Sequence, residues 1–256
     1  MSHDADAQNH PVQQARRLAA ELFPDALGVV LSGSAVSGLA TTTSDLDVVV
    51  LIEDGGETRR ETLRFEGRLV ELFVHTQAGL AELFAADTAS RRGVMQRMYA
   101  EGLILSERDG TASRIKQRAE EALRRGPDAL YPDAVESRRY SLTDALDDLG
   151  DAGDPVERLT IAGVVLSVAT DLLCDHRRAW VGGGKWLPRR LREADPEHAR
   201  ALLDGYRRLC EKGEPEELTE AATSVLTLIG GPLREGYART WYVTAEPRAS
   251  AAPTGI

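Results

Sequence analysis

The chain has 256 residues, of which 42% are hydrophobic and 28% charged, and a formal net charge of −10. That length has room for two modest cores of ordinary globular composition. The acidic balance shows no basic stripe, which argues against a surface that tracks a polynucleotide.

The N-terminus, Met1-Ser2-His3-Asp4-Ala5-Asp6, has neither a basic nor an apolar region. No secretory signal is expected there, residues 1–10 are expected to be flexible, and the expected location is the cytoplasm. The first predicted strand, Ala26 to Leu31, ends at Ser32-Gly33-Ser34. Ala35 to Ala40 can then start a short helix, so that backbone N–H groups and the Ser34 hydroxyl would face an incoming phosphate. Glycine at 33 lets the backbone approach closely.

Asp45 to Ile52 is rich in β-branched residues and suits a buried strand. Side chains alternate faces along a strand, so Asp45 and Asp47 point one way, about 7 Å apart, while Leu46 and Val48 point into the core. Two carboxylates so placed are costly without a cation between them, and Mg²⁺ fits. Thr62 to Phe65, then Glu66-Gly67, then Arg68 to His75 predict a hairpin. Glu71 leaves its second arm opposite Val70 and Leu72. If that arm lies near the Asp45 strand, three carboxylates converge.

Leu31-Ser32-Gly33-Ser34, Asp45-Leu46-Asp47 and Val70-Glu71-Leu72, in that order, resemble the signature of the DNA polymerase β-like nucleotidyltransferase superfamily. The likeness covers roughly residues 12 to 108, and within the superfamily the chain looks most similar to kanamycin nucleotidyltransferase-like enzymes, which act on aminoglycosides. The resemblance implies an α+β fold: a catalytic domain at 11–110, with a mixed β-sheet flanked by helices, then a helical substrate-binding bundle at 111–245. It implies transfer of a nucleoside monophosphate from an NTP, expected to be ATP, to a hydroxyl of a small molecule, with pyrophosphate released. One or two Mg²⁺ ions would be held by Asp45, Asp47 and Glu71, and Gly33 and Ser34 would bind the departing pyrophosphate. A homodimer is also consistent with such enzymes.

Residues 1–110 carry 10 Lys and Arg against 17 Asp and Glu, so the acidic excess lies mostly on the presumed catalytic half. Such a field would attract a cationic acceptor, an aminoglycoside for example, with antibiotic resistance as the implied role. Two other readings stand beside this one. The acceptor could be a partner protein, as for antitoxin-like nucleotidyltransferases, or the chain could be a non-catalytic nucleotide sensor.

Periodicity predicts helices over Ala112 to Arg125 and Ala134 to Leu149, the second stopping at Gly150. Asp144, Asp147 and Asp148 share a face of that helix and repel one another. In the resembled family a carboxylate of the first bundle helix is the general base, which points to Asp147, while Glu71 is the alternative base. Asp154 and Pro155 open a long apolar helix to about Arg178, the expected centre of the bundle. Its uncharged run, Thr160 to Thr170, is far short of the ~20 residues that cross a bilayer, so no membrane partner is expected.

The loop Gly182-Gly183-Gly184-Lys185-Trp186 could set a cation on phosphate and an aromatic face on a base, or could simply join two helices with Trp186 as an anchor. Further helices are predicted over Pro196 to Lys212 and Pro215 to about Thr240, and the tail at 246–256 is expected to be disordered. Cys174 and Cys210 make no metal-type spacing with the five histidines and are expected to be buried.

Overall fold

The structure is a computed structural model that describes residues 2–38, 40–41 and 44–240, with side chains from His10 onward. The tail at 246–256 lies outside the described residues. The first helix, α1 (Ser2–Leu22), begins within the stretch expected to be flexible. Strand β1 (Gly28–Ser32), the short α2 (Ser34–Ser37), β2 (Leu46–Ile52), β3 (Arg59–Phe65) and β4 (Arg68–Thr76) follow as the sequence predicts, within a few residues. Helices α3 (Gln77–Ala89) and α4 (Val94–Ala100) and strand β5 (Leu103–Glu107) were not anticipated.

The five strands form one mixed sheet in the order β3-β4-β2-β1-β5. Strands β2 and β4 are parallel, and the other neighbours are antiparallel. The alternation of β2 explains why a nearly continuous apolar strand was needed. Leu46, Val48 and Val50 pack towards Ala15, Leu18 and Ala19 of α1. Val49 and Leu51 point the other way, towards Leu80, Met95, Met98 and Tyr99 of α3 and α4. Both faces of the central strand are therefore covered, as for buried parallel pairs generally. Asp47 belongs to the second face but stands at the strand's beginning, where it stays half-buried.

Helix α5 (Thr111–Arg125) leads into the bundle of α6 (Pro132–Asp151), α7 (Pro155–His176), α8 (Leu187–Ala194), α9 (Pro196–Lys212) and α10 (Glu216–Leu228). The Asp154 side chain caps α7 by accepting the N–H groups of Val156 and Glu157. Leu172, Leu173, Val165 and Ala169 of α7 lie at the centre of the bundle core with Leu142, Leu149, Leu191, Leu202 and Val225. One stripe of the helix nevertheless stays exposed at Val156, Leu159 and Val164. Among the described residues no helix is long and apolar enough to cross a membrane.

Three expectations are corrected. Helix α6 starts earlier, at Pro132, and runs through Gly150 to Asp151, because Pro is well placed in a first turn and one helical glycine costs only about 1 kcal/mol. Helix α10 ends at Leu228 rather than near Thr240. Gly230 and Gly231 take positive φ angles there, and Gly231 donates its N–H to Leu226 O at 2.8 Å, closing the helix ahead of Pro232. Cys174 is buried as expected, but Cys210 is exposed on α9.

Helix α9 rests on Asp195, which accepts the N–H of His198 at 3.1 Å and pairs with Arg177 Nη2 at 2.8 Å and the His198 ring at 3.0 Å. Burial by itself would raise the Asp195 carboxyl; the His198 N–H, Arg177 and the His198 ring outweigh it and hold the group down at about 2. Because the folded value lies below the ordinary one, this stabilisation is complete above about pH 4 and is lost as pH falls towards 2. Asp195→Ala should lower unfolding stability at pH 7 by about 1–3 kcal/mol. In denaturant titrations the gap to the parent should shrink below pH 4.

Candidate active site

Gly33 ends β1 with φ 68° and ψ −150°, a conformation open to glycine and to little else. A Cβ built at this position would lie 1.9 Å from Asp47 Oδ2. The Asp47 carboxylate therefore sits directly against the Gly33 backbone. The same turn starts α2, whose first residue is Ser34, and Gly33 O accepts the N–H groups of Val36 and Ser37. The Gly33-Ser34 turn and the aspartate strand thus meet in one place, as their order along the chain suggests.

Register brings the third carboxylate alongside. In the parallel β2/β4 pair Asp47 lies opposite Glu71, and Leu46 and Val48 lie opposite Val70 and Leu72. The hairpin turn at Glu66-Gly67 fixes the β3/β4 register, setting Arg60 opposite Phe73 and Thr62 opposite Glu71. Arg60 lies with its guanidinium 5.0 Å from the Phe73 ring centroid and its Nη2 2.5 Å from Glu71 Oε1. The sequence reading missed Arg60, although the hairpin register was already legible and places it there.

Burial pushes the Asp47 carboxyl up to about 6, and the nearby charges of Asp45 and Glu71 push the same way. Lys185 and Arg60 oppose them. Lys185 comes from the bundle half, and its arrival follows from how the two halves join. Arg91 and Asp175 form a nearly buried ion pair of 3.0 Å. The Trp180 indole donates to Leu123 O at 3.0 Å, and Val181 donates its N–H to Arg91 O at 2.9 Å. The chain after α7 is thereby bound to the sheet half, and a 3₁₀ turn at Gly184–Trp186 then presents Lys185.

Trp186 is flanked by two arginines of α8 and stays partly exposed. Arg189 and Arg190 stand 4.7 and 4.8 Å from its ring centroid, which ties the indole to the start of α8. Asp147 is also engaged elsewhere. It is exposed on α6 and pairs with Arg234, and the segment after α10 runs along the same helix, with Tyr237 stacked on Tyr140 at 4.3 Å. Asp144 and Asp148 are exposed beside it. Among the described contacts none brings Asp147 to Asp47.

The donor chemistry fits a hard divalent cation. Asp45, Asp47 and Glu71 offer carboxylate oxygens only, and burial together with the charges of Asp45 and Glu71 disfavours the ionised form of Asp47. They are within electrostatic reach of one another, yet among the described residues no three His, Cys, Asp or Glu side chains stand gathered around a single metal position.

Residues 12–80 match the family model described as nucleotidyltransferase domain. That segment contains Gly33, Ser34, Asp45, Asp47, Arg60 and Glu71, and the match agrees with the likeness carried by those motifs. Curated proteins give no match to the sequence. Among solved structures, the chain is similar to the nucleotidyltransferase-like protein from Exiguobacterium sibiricum 255-15, with 17% identity and a TM-score of 0.43, over 85% of this chain and 73% of that one. That likeness is too remote to bear on chemistry.

Proposed function

We propose that the chain transfers a nucleoside monophosphate, with ATP as the expected donor, to a hydroxyl of a small cationic acceptor, an aminoglycoside being the model case. The observation that carries this reading is the contact of Gly33 with the Asp47 carboxylate in a segment that matches nucleotidyltransferase domains. A phosphate turn and a carboxylate pair in contact suit a triphosphate and its cation. Asp45 and Asp47 would hold Mg²⁺, and Glu71, next to Asp47 in register, would complete the set. When bound, the cation would neutralise charge on the triphosphate and make the α-phosphorus more electrophilic.

The chain's own groups supply the rest. Gly33 and Ser34 would bind the departing pyrophosphate through the backbone N–H and the hydroxyl. Lys185 brings a positive charge to the same place from the bundle half. The acceptor oxygen forms the new bond to the α-phosphorus as the bond to pyrophosphate breaks, and the acceptor's proton passes to a carboxylate. Asp147 can serve as that base only when Arg234 releases it. The acidic balance of residues 1–110 favours a cationic acceptor over a polynucleotide.

The acceptor class is tested by incubating the protein with Mg²⁺ and ATP labelled on the α-phosphate, with an aminoglycoside pool or with cell lysate. Label in the small-molecule fraction of the pool reaction is expected. Label only in precipitated lysate protein would instead support a protein-modifying enzyme, and no transfer in either case would support a sensor.

A further inference from the structure

We infer that Arg60 is a built-in counter-ion of the carboxylate site, a positioning residue that occupies Glu71 until a divalent cation displaces it. This rests on the reading of Asp45, Asp47 and Glu71 as a cation site.

The geometry is specific to this hairpin. Arg60 lies on β3 directly opposite Phe73 and diagonal to Glu71, on the same sheet face as Asp47. The Phe73 ring supports the guanidinium, so its position does not depend on Glu71 alone. Glu71 is mostly covered, at 22% side-chain exposure, whereas Arg60 is 63% exposed and free to swing outward. With Arg60 on Glu71, one oxygen of that carboxylate is committed towards the edge strand.

Arg60 engages Oε1 of Glu71, and a divalent cation taking that oxygen at about 2.0–2.1 Å would set two cations on one atom, so their repulsion favours departure of the mobile guanidinium. Loading the site therefore exchanges one cation for another. The released Arg60, still beside Phe73, is left facing whatever anion arrives with the metal. Arg60 and Lys185 are the two cations that offset the negative charge around Asp47.

The test uses Mn²⁺ alone as the probe, without nucleotide, and reads its affinity for the full chain by calorimetry and by the loss of the free-ion EPR signal. Arg60→Gln should bind Mn²⁺ about two- to fivefold more tightly than the parent, the range expected from losing a partly exposed ion pair. Arg60→Lys, which restores a cation, should return affinity towards the parent. Unchanged or weaker binding in Arg60→Gln, or equal tightening in Arg60→Lys, would overturn the inference. Glu71→Gln and Asp47→Asn separate the two levels of the argument. If both weaken Mn²⁺ binding while Arg60→Gln leaves it unchanged, the cation site stands and the counter-ion does not; if neither weakens it, the cation-site reading itself fails.

Discussion

Asp47→Asn should reduce nucleotidyl transfer by more than about a hundredfold while leaving the chain folded. The two halves of this expectation have different origins. The loss follows from the position of Asp47, which touches the Gly33 turn, lies within electrostatic reach of Asp45 and stands opposite Glu71. The intact fold follows from its energetics. Burial and two like-charged neighbours oppose the ionised carboxylate, so the neutral amide removes an unfavourable term. The melting temperature of the variant in metal-free buffer should equal or exceed that of the parent. Active Asp47→Asn would remove the proposed role of the residue, and a collapsed melting curve would show that Asp47 instead supports the fold.

Gly33→Ala should be damaging on both counts. The backbone conformation at Gly33 excludes ordinary residues at a cost of roughly 1–3 kcal/mol, and the added methyl would meet Asp47 Oδ2 well inside contact distance. Neither the turn nor the carboxylate can keep its place. Stability should fall by about 2 kcal/mol in denaturant titration, and transfer should fall to the level of Asp47→Asn. Ala at this position with parent-like stability and turnover would mean that the Gly33–Asp47 contact has no part in the site.

Much of this arrangement can be read from the chain because it is local. The strand around Val48 to Ile52, the turn at Gly33 and the hairpin through Glu66-Gly67 each carry their own pattern, and hairpin register follows from turn position. The parallel pairing of β2 with β4 was legible only conditionally, since nothing local specifies which strand lies beside Asp47. Strand β5 escaped notice because Leu103 to Glu107 has only one fully buried residue and pairs at the edge beside β1, where its pattern is weak. Helix α3 has apolar residues spread around it, and α4 is seven residues long, so neither shows a clear period.

The bundle half shows the same division. Helix α7 was predicted with its cap, because Asp154 and Pro155 are local signals. The engagement of Asp147 by Arg234 could not be read, since it depends on the segment after α10 folding back along α6 across 87 residues of sequence. In the sequence, Lys185 after its glycine run suits either a phosphate contact or a plain connector. Its proximity to Asp47 arises from the Arg91–Asp175 pair and from Trp180, which are tertiary contacts with no signature in the glycine run itself.

The central claim is that the α-phosphorus of a nucleotide is the atom attacked. ATP labelled separately on the α- and γ-phosphates, supplied with Mg²⁺ and an aminoglycoside pool, tests it directly. The account predicts α-label on the acceptor and γ-label recovered as pyrophosphate, both abolished in Asp47→Asn. Recovery of the γ-label on the acceptor or as orthophosphate would contradict it.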